Sequence, residues 1–254
     1  MQKDENILSR IKGLLGDGSA NLSILEHNVG IETQVEYFDF SKTLNKVTNP
    51  DEVIAEEAKL YDEDIAIADK KNILASLASI SKAEAFRIIQ KFSQSAPDNL
   101  KDWSIMALQE SRMLLESELL DEQQVYISTG LGGKGGKLRY FIVIFSANQD
   151  IPLTGNQKEL VESEFLFSLK AHGCEIEDIV FYDRYLSLTV LMPMSVTLRE
   201  PYAQAISECN SLGNFLKPEF LMTNVKKLTD HEIVNIVAKG PEKGLDVGST
   251  KKPD

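Results

Sequence analysis

Between Val125 and Tyr140 the run VYISTGLGGKGGKLRY holds five glycines and two lysines, with Arg139 close behind. Glycine lets a backbone approach an anion closely, and Lys or Arg supplies the balancing charge, so phosphate binding is the first chemistry to test. Gly130, Gly132 and Gly135 satisfy G-x-G-x-x-G. A dinucleotide fingerprint also needs a helix after the glycines, to aim its N-terminus at the pyrophosphate, and here KLRYFIVIFS continues as strand. A Walker loop fails as well, because neither Lys134 nor Lys137 is followed by Ser or Thr. Two uses remain: a hairpin tip, or a basic loop that contacts an anion or a partner through Lys134, Lys137 and Arg139 with Gly132, Gly133 and Gly135.

The other reactive side chains form no constellation. His27, His172 and His231 lie far apart, outside any H-x-H, H-E-x-x-H or Cys/His pattern, so no metal ligand set is expected. Cys174 and Cys209 are too few and too distant for a disulfide framework, and read as small buried thiols in a reducing compartment. The acidic group Glu116, Glu118, Asp121 and Glu122 reads as a solvated helix end. No Ser, Cys or Lys has a base and an orienting group beside it. No catalytic residue and no cofactor is therefore expected.

The formal net charge of −12 over 254 residues opposes non-specific binding to nucleic acid, although a local basic patch is compatible with it. The charge is uneven: residues 1–64 carry 14 acidic and 6 basic side chains, a net −8. The start MQKDENILSR does not resemble a signal peptide, and the longest apolar run, Tyr140 to Phe145, is far below the roughly 20 residues that span a bilayer. A cytoplasmic protein without a transmembrane segment is expected.

Stepping along the chain, residues 1–49 read as an acidic, partly disordered segment with one short amphipathic helix at NILSRIKGLLGDG and at most a short strand near TQVEYFDF. Residues 50–121 read as helices. One of them, SKAEAFRIIQKFSQ, opens with a capping box of Ser81 and Glu84. The run from Ile73 to Glu116, with small Ala at crossings, EAF in one helix and DWSIMALQES opening the next, resembles the hairpins of HEAT-like repeats. That resemblance implies a helical domain of stacked hairpins with a broad binding surface.

Residues 122–137 read as a glycine-rich hairpin or linker, and residues 138–239 change period. LRYFIVIFS, EIEDIVFYDR, YLSLTVLMPM and LKPEFLMTNVKKL read as strands, with helices after the first and third. This order resembles the split βαβ, ferredoxin-like arrangement, which makes the whole chain α+β. In the third strand Tyr185, Ser187 and Thr189 alternate with Leu186, Leu188 and Val190, so one face is expected to meet helices and the other to stay open to a partner. An RNA-recognition domain shares the element order, but RYLSLTVL lacks its glycine and stacking aromatics. Ferredoxin-like transposases and nucleases with paired histidines on a strand are set aside for want of H-x-H. VYIST cannot simply hairpin onto an interior first strand within the same sheet, so either it projects as an arm, or it belongs to the edge of the helical domain, or the ferredoxin-like order does not hold. DHEIVNIVAK is a final helix, and residues 240–254 read as a disordered tail.

The function expected from these features is a non-enzymatic interaction or adaptor module with an unidentified protein partner, and edge-strand pairing into a homodimer is compatible with them. The alternative is a module that binds nucleic acid or nucleotide phosphate through the glycine-rich basic loop, aided by Lys226 and Lys227.

Overall fold

Chain contacts divide the protein into two units, residues 19–128 and the segment from Thr129 onward. The computed structural model describes residues 21–44, 47–120, 124–239 and 246–249. The expected amphipathic helix at residues 6–18 lies outside the described residues.

The first unit opens with strand β1, Asn21–Ile24, and helix α1, Ile31–Thr43. Both fall where the sequence reads as irregular. TQVEYFDF looks like alternation, but Gln34, Tyr37 and Ser41 also sit at helical spacing, and packing decides between the periods. Tyr37 is fully buried, its ring 5.0 Å from that of Trp103 in an edge contact, and its hydroxyl donates to Glu110 at 2.6 Å. Ser41 donates to the other oxygen of the same carboxylate at 3.0 Å.

Helix α2, Pro50–Ala55, and a 3-10 turn, Glu56–Leu60, lead into α3, Ile67–Ala78, α4, Ala83–Ser95, and α5, Asp98–Leu120. Both α3 and α4 pack on α5, and so does α1, so α5 is the shared axis of one bundle rather than a member of a stacked series. The HEAT-like organisation is corrected accordingly: Trp103 on α5 meets Tyr37 and Phe40 of α1 and Lys71 of α3. Its indole N–H donates to the Lys71 carbonyl at 3.0 Å, and the Lys71 ammonium lies 4.2 Å from its ring centroid. The N-terminus of α4 differs from the expected capping box. Lys82 holds the cap position with no side-chain capping bond, and the buried Ser81 hydroxyl has no partner among the described residues.

Strand β2, Gln124–Ile127, pairs in parallel with β1 and thereby joins the helical unit. This places the strand that the sequence left between an arm and the helical domain. The Gln109 amide on α5 donates to Ser23 at 2.9 Å and ties the pair to the bundle.

The second unit carries β3, Gly133–Lys134, β4, Lys137–Ser146, α6, Gly155–Ala171, β5, Glu175–Phe181, and β6, Tyr185–Pro193. It continues with α7, Glu200–Ser211, β7, Leu216–Thr223, α8, Asp230–Lys239, and β8, Asp246–Ser249. The sheet order is β5-β6-β4-β7-β8, antiparallel at each of these pairings, with β3 paired to β4 outside this path. The α+β class and the ferredoxin-like order of the four expected strands hold. The expected tail instead supplies β8 on the far side of β7, while residues 240–245 and 250–254 are outside the described residues.

Helices α6 and α7 pack on each other and on the sheet at β5 and β7. Helix α6 starts with a capping box the sequence reading missed, Thr154 with Gln157. Register places Tyr185 opposite Phe145, Ser187 opposite Val143 and Thr189 opposite Phe141, all on one face. Phe141, Val143, Phe145, Tyr185 and Leu221 on this face pack with Leu131, Leu228, Ile233 and Ile236. Helix α8 and the glycine segment thus cover the face expected to be open.

Candidate functional site

The glycine run forms a two-residue hairpin. Gly133 and Lys134 pair with Leu138 and Lys137, and Gly135 and Gly136 make the turn with φ of 57° and 75°. Positive φ at both turn positions is the geometry that matches strand twist, and it explains two glycines without a ligand. Gly130 answers a different need: a Cβ there would lie 1.8 Å from the Val225 carbonyl oxygen. Leu131 is pinned to the sheet, its N–H donating to Asn224 at 2.9 Å.

The structure brings Lys134, Lys137 and Arg139 to one corner but commits two of the three. Lys137 donates to Glu175 at 2.6 Å and to the Gly173 carbonyl at 2.7 Å. Arg139 grips Glu177 through two nitrogens, at 2.5 and 2.8 Å, and donates to the Leu131 carbonyl at 2.8 Å. The hydrogen bonds from Arg139 hold the Glu177 carboxyl below its usual range, against the opposing effect of burial, with Lys134 and Lys227 adding to it. Gly132 and Gly133 are buried, whereas Lys134 and Gly135 face solvent. An incoming anion would have to compete with Glu175 and Glu177 for the charge.

The partner-facing residues are also placed differently. Tyr185, Ser187 and Thr189 are 7%, 5% and 4% exposed, so they offer no surface for docking. Cys174 and Cys209 are buried free thiols, pushed up to about 11 and about 12, chiefly by burial, which leaves them protonated and unreactive at neutral pH. Among the described residues no group of three or more His, Cys, Asp or Glu side chains is close enough to hold a metal ion. None of the described helices is long and apolar enough to cross a membrane.

A second site lies at the other end of the same face, where the β5–β6 turn meets α8. A pocket of about 510 Å³ is lined by Phe145, Gln149, Tyr182, Asp183, Arg184, Tyr185 and Asp230, with Ile233, Val234 and Val237 of α8 forming an apolar wall. The Tyr182 and Tyr185 rings stack at 4.5 Å with 26° between planes. Tyr182 remains 45% exposed, and Val234 and Val237 are 53% and 58% exposed, so a flat ring can reach this wall from solvent. The Tyr185 hydroxyl donates to Asp230 at 3.1 Å, and burial, together with that carboxylate, pushes its own ionisation up to about 12. Tyr185 is legible in the sequence as a strand residue, whereas its setting beside Tyr182 and Asp230 is not. The signal available was YDRY: two aromatics flanking a turn, with an arginine between them.

The wall is held in place locally. Thr229 and Glu232 cap α8 reciprocally, each backbone N–H donating to the other's side chain, and Lys226 pairs with Glu232. The Lys226 contact, with Thr229 behind it, lowers the Glu232 carboxyl to about 2.

Comparison with protein-family models gives no match, and comparison with curated proteins gives none either. Among solved structures the chain is similar to a REP-associated tyrosine transposase bound to a REP hairpin, at 14% identity, TM-score 0.32, over 41% of this chain and 69% of that one. It is also similar to a putative transposase from Deinococcus radiodurans R1, at 13% identity, TM-score 0.36, over 42% of this chain and 94% of that one. The expectation of a non-enzymatic adaptor with an open sheet face is corrected: the face meant to receive a protein is covered.

Proposed function

We propose that the second unit binds single-stranded nucleic acid or a nucleotide, with a base held at the Tyr182 pocket. The observation that carries this reading is the half-exposed Tyr182 ring, backed by Tyr185 and facing an apolar wall across a pocket large enough for a base. Base–aromatic stacking contributes about 1–3 kcal/mol per base and needs no extensive positive field. Arg184 has no ion-pair partner among the described residues, and its guanidinium can meet a phosphate or a base carbonyl.

The charge objection weakens when the units are counted separately. Residues 19–128 carry 20 acidic and 10 basic side chains, a net −10, whereas residues 129–254 carry 16 and 14, a net −2. Repulsion of a polyanion therefore belongs mostly to the helical unit. Titrating the protein with an unlabelled single-stranded oligonucleotide while following tyrosine fluorescence tests the reading. Saturable quenching that is lost in Tyr182→Ala supports it, and an unchanged signal at low salt overturns it.

A further inference from the structure

We propose that the pocket selects guanine among the bases, an inference that rests on base binding at Tyr182. Its polar lining is rich in acceptors. Asp230 uses one carboxylate oxygen on the Tyr185 hydroxyl, at 3.1 Å, and its second oxygen has no hydrogen-bond partner among the described residues. Gln149 spends its amide N–H groups on the carbonyls of Ser146, at 3.1 Å, and Arg184, at 3.5 Å, which leaves its amide oxygen as an acceptor. Asp183 adds a second carboxylate to the lining, and Arg184 supplies the one cationic donor.

The four bases differ in what they offer such a lining. Guanine presents two adjacent donors, the ring N1–H and the exocyclic N2 amine, and beside them the O6 acceptor. A carboxylate accepts from both donors at once, and a guanidinium donates to O6. Adenine and cytosine each place a ring nitrogen acceptor beside a single amine, so a carboxylate meets a lone pair where guanine offers a proton. Thymine has one N–H between two carbonyls. Tyr185 holds Asp230 at the pocket mouth, and the stack of Tyr182 on Tyr185 fixes the plane in which a base edge would meet it.

The test uses the intact chain and fluorescein-labelled oligothymidine with one central position varied among guanine, adenine, cytosine, thymine and hypoxanthine, read by anisotropy. The expected result is about tenfold tighter binding with guanine, from a bidentate contact, and a weaker preference with hypoxanthine, which lacks the N2 amine. Asp230→Asn keeps an acceptor for Tyr185 and is expected to abolish the preference while retaining Tyr182-dependent binding. Equal affinity across the panel, with Tyr182→Ala still weakening it, overturns guanine selection and leaves base binding standing. Absence of binding to every oligonucleotide overturns both.

Discussion

Gly130 and Gly136 are glycines for different reasons, and the difference can be measured. At Gly130 an added methyl meets the rigid Val225 carbonyl, so Gly130→Ala is expected to cost about 1–3 kcal/mol in urea denaturation. At Gly136 there is open space around a left-handed residue, and Gly136→Ala should cost only about 1–2 kcal/mol, from backbone conformation alone. Sequence spacing could not separate these roles, because Val225 lies 95 positions away and a close approach leaves no local pattern. Lys137 and Arg139 were legible as charge, but their carboxylate partners Glu175 and Glu177 come from β5, across the intervening β6, which register alone brings within reach. Glu232 gives a pH-dependent counterpart. Its folded carboxyl is lowered, so its contribution is present above the ordinary Glu value near 4.3 and is lost as pH falls toward about 2. Melting of the wild type should therefore fall more steeply between pH 4 and about pH 2 than melting of Glu232→Gln, compared by circular dichroism.

At the scale of elements, period alone could not choose for TQVEYFDF, and burial of Tyr37 against Trp103 chose helix. Residues 21–44 are therefore not a dispensable appendage, since Ile24, Leu25, Val29 and Tyr37 are buried. Deleting residues 1–49 is expected to lower the melting temperature of the helical unit by many degrees, followed through the fluorescence of Trp103, the one tryptophan of the chain. An unchanged melting temperature would mean that α1 does not belong to that core. Trp103→Ala should cost about 3–5 kcal/mol in the same unit. Strands β4, β6 and β7 were readable because each is eight residues or longer and rich in buried apolar side chains, whereas β3 has two residues and β8 four. The cover on the opposite face was not, because Leu131, Leu228 and Ile233 come from a loop, a linker and the last helix, which no single-segment pattern connects. The same gap hid the pocket, whose walls are the β5–β6 turn and α8.

For the molecule as a whole, net charge was legible and its distribution between units decided its meaning. A base pocket with one unpaired arginine should give a shallow salt dependence, near one released counterion per bound strand, rather than the steep slope of a protein gripping many phosphates. If Lys134, Lys137 and Arg139 formed the binding surface instead, the slope would be steeper, and Lys134→Ala would reduce it. The central claim is tested most directly by anisotropy of a fluorescein-labelled single-stranded 12-mer against wild type, Tyr182→Ala and the double variant Lys134→Ala with Lys137→Ala. Saturable binding that weakens about tenfold or more in Tyr182→Ala and changes little in the double variant is the predicted result. Binding that ignores Tyr182, or no binding at low salt, would contradict a base pocket in this protein.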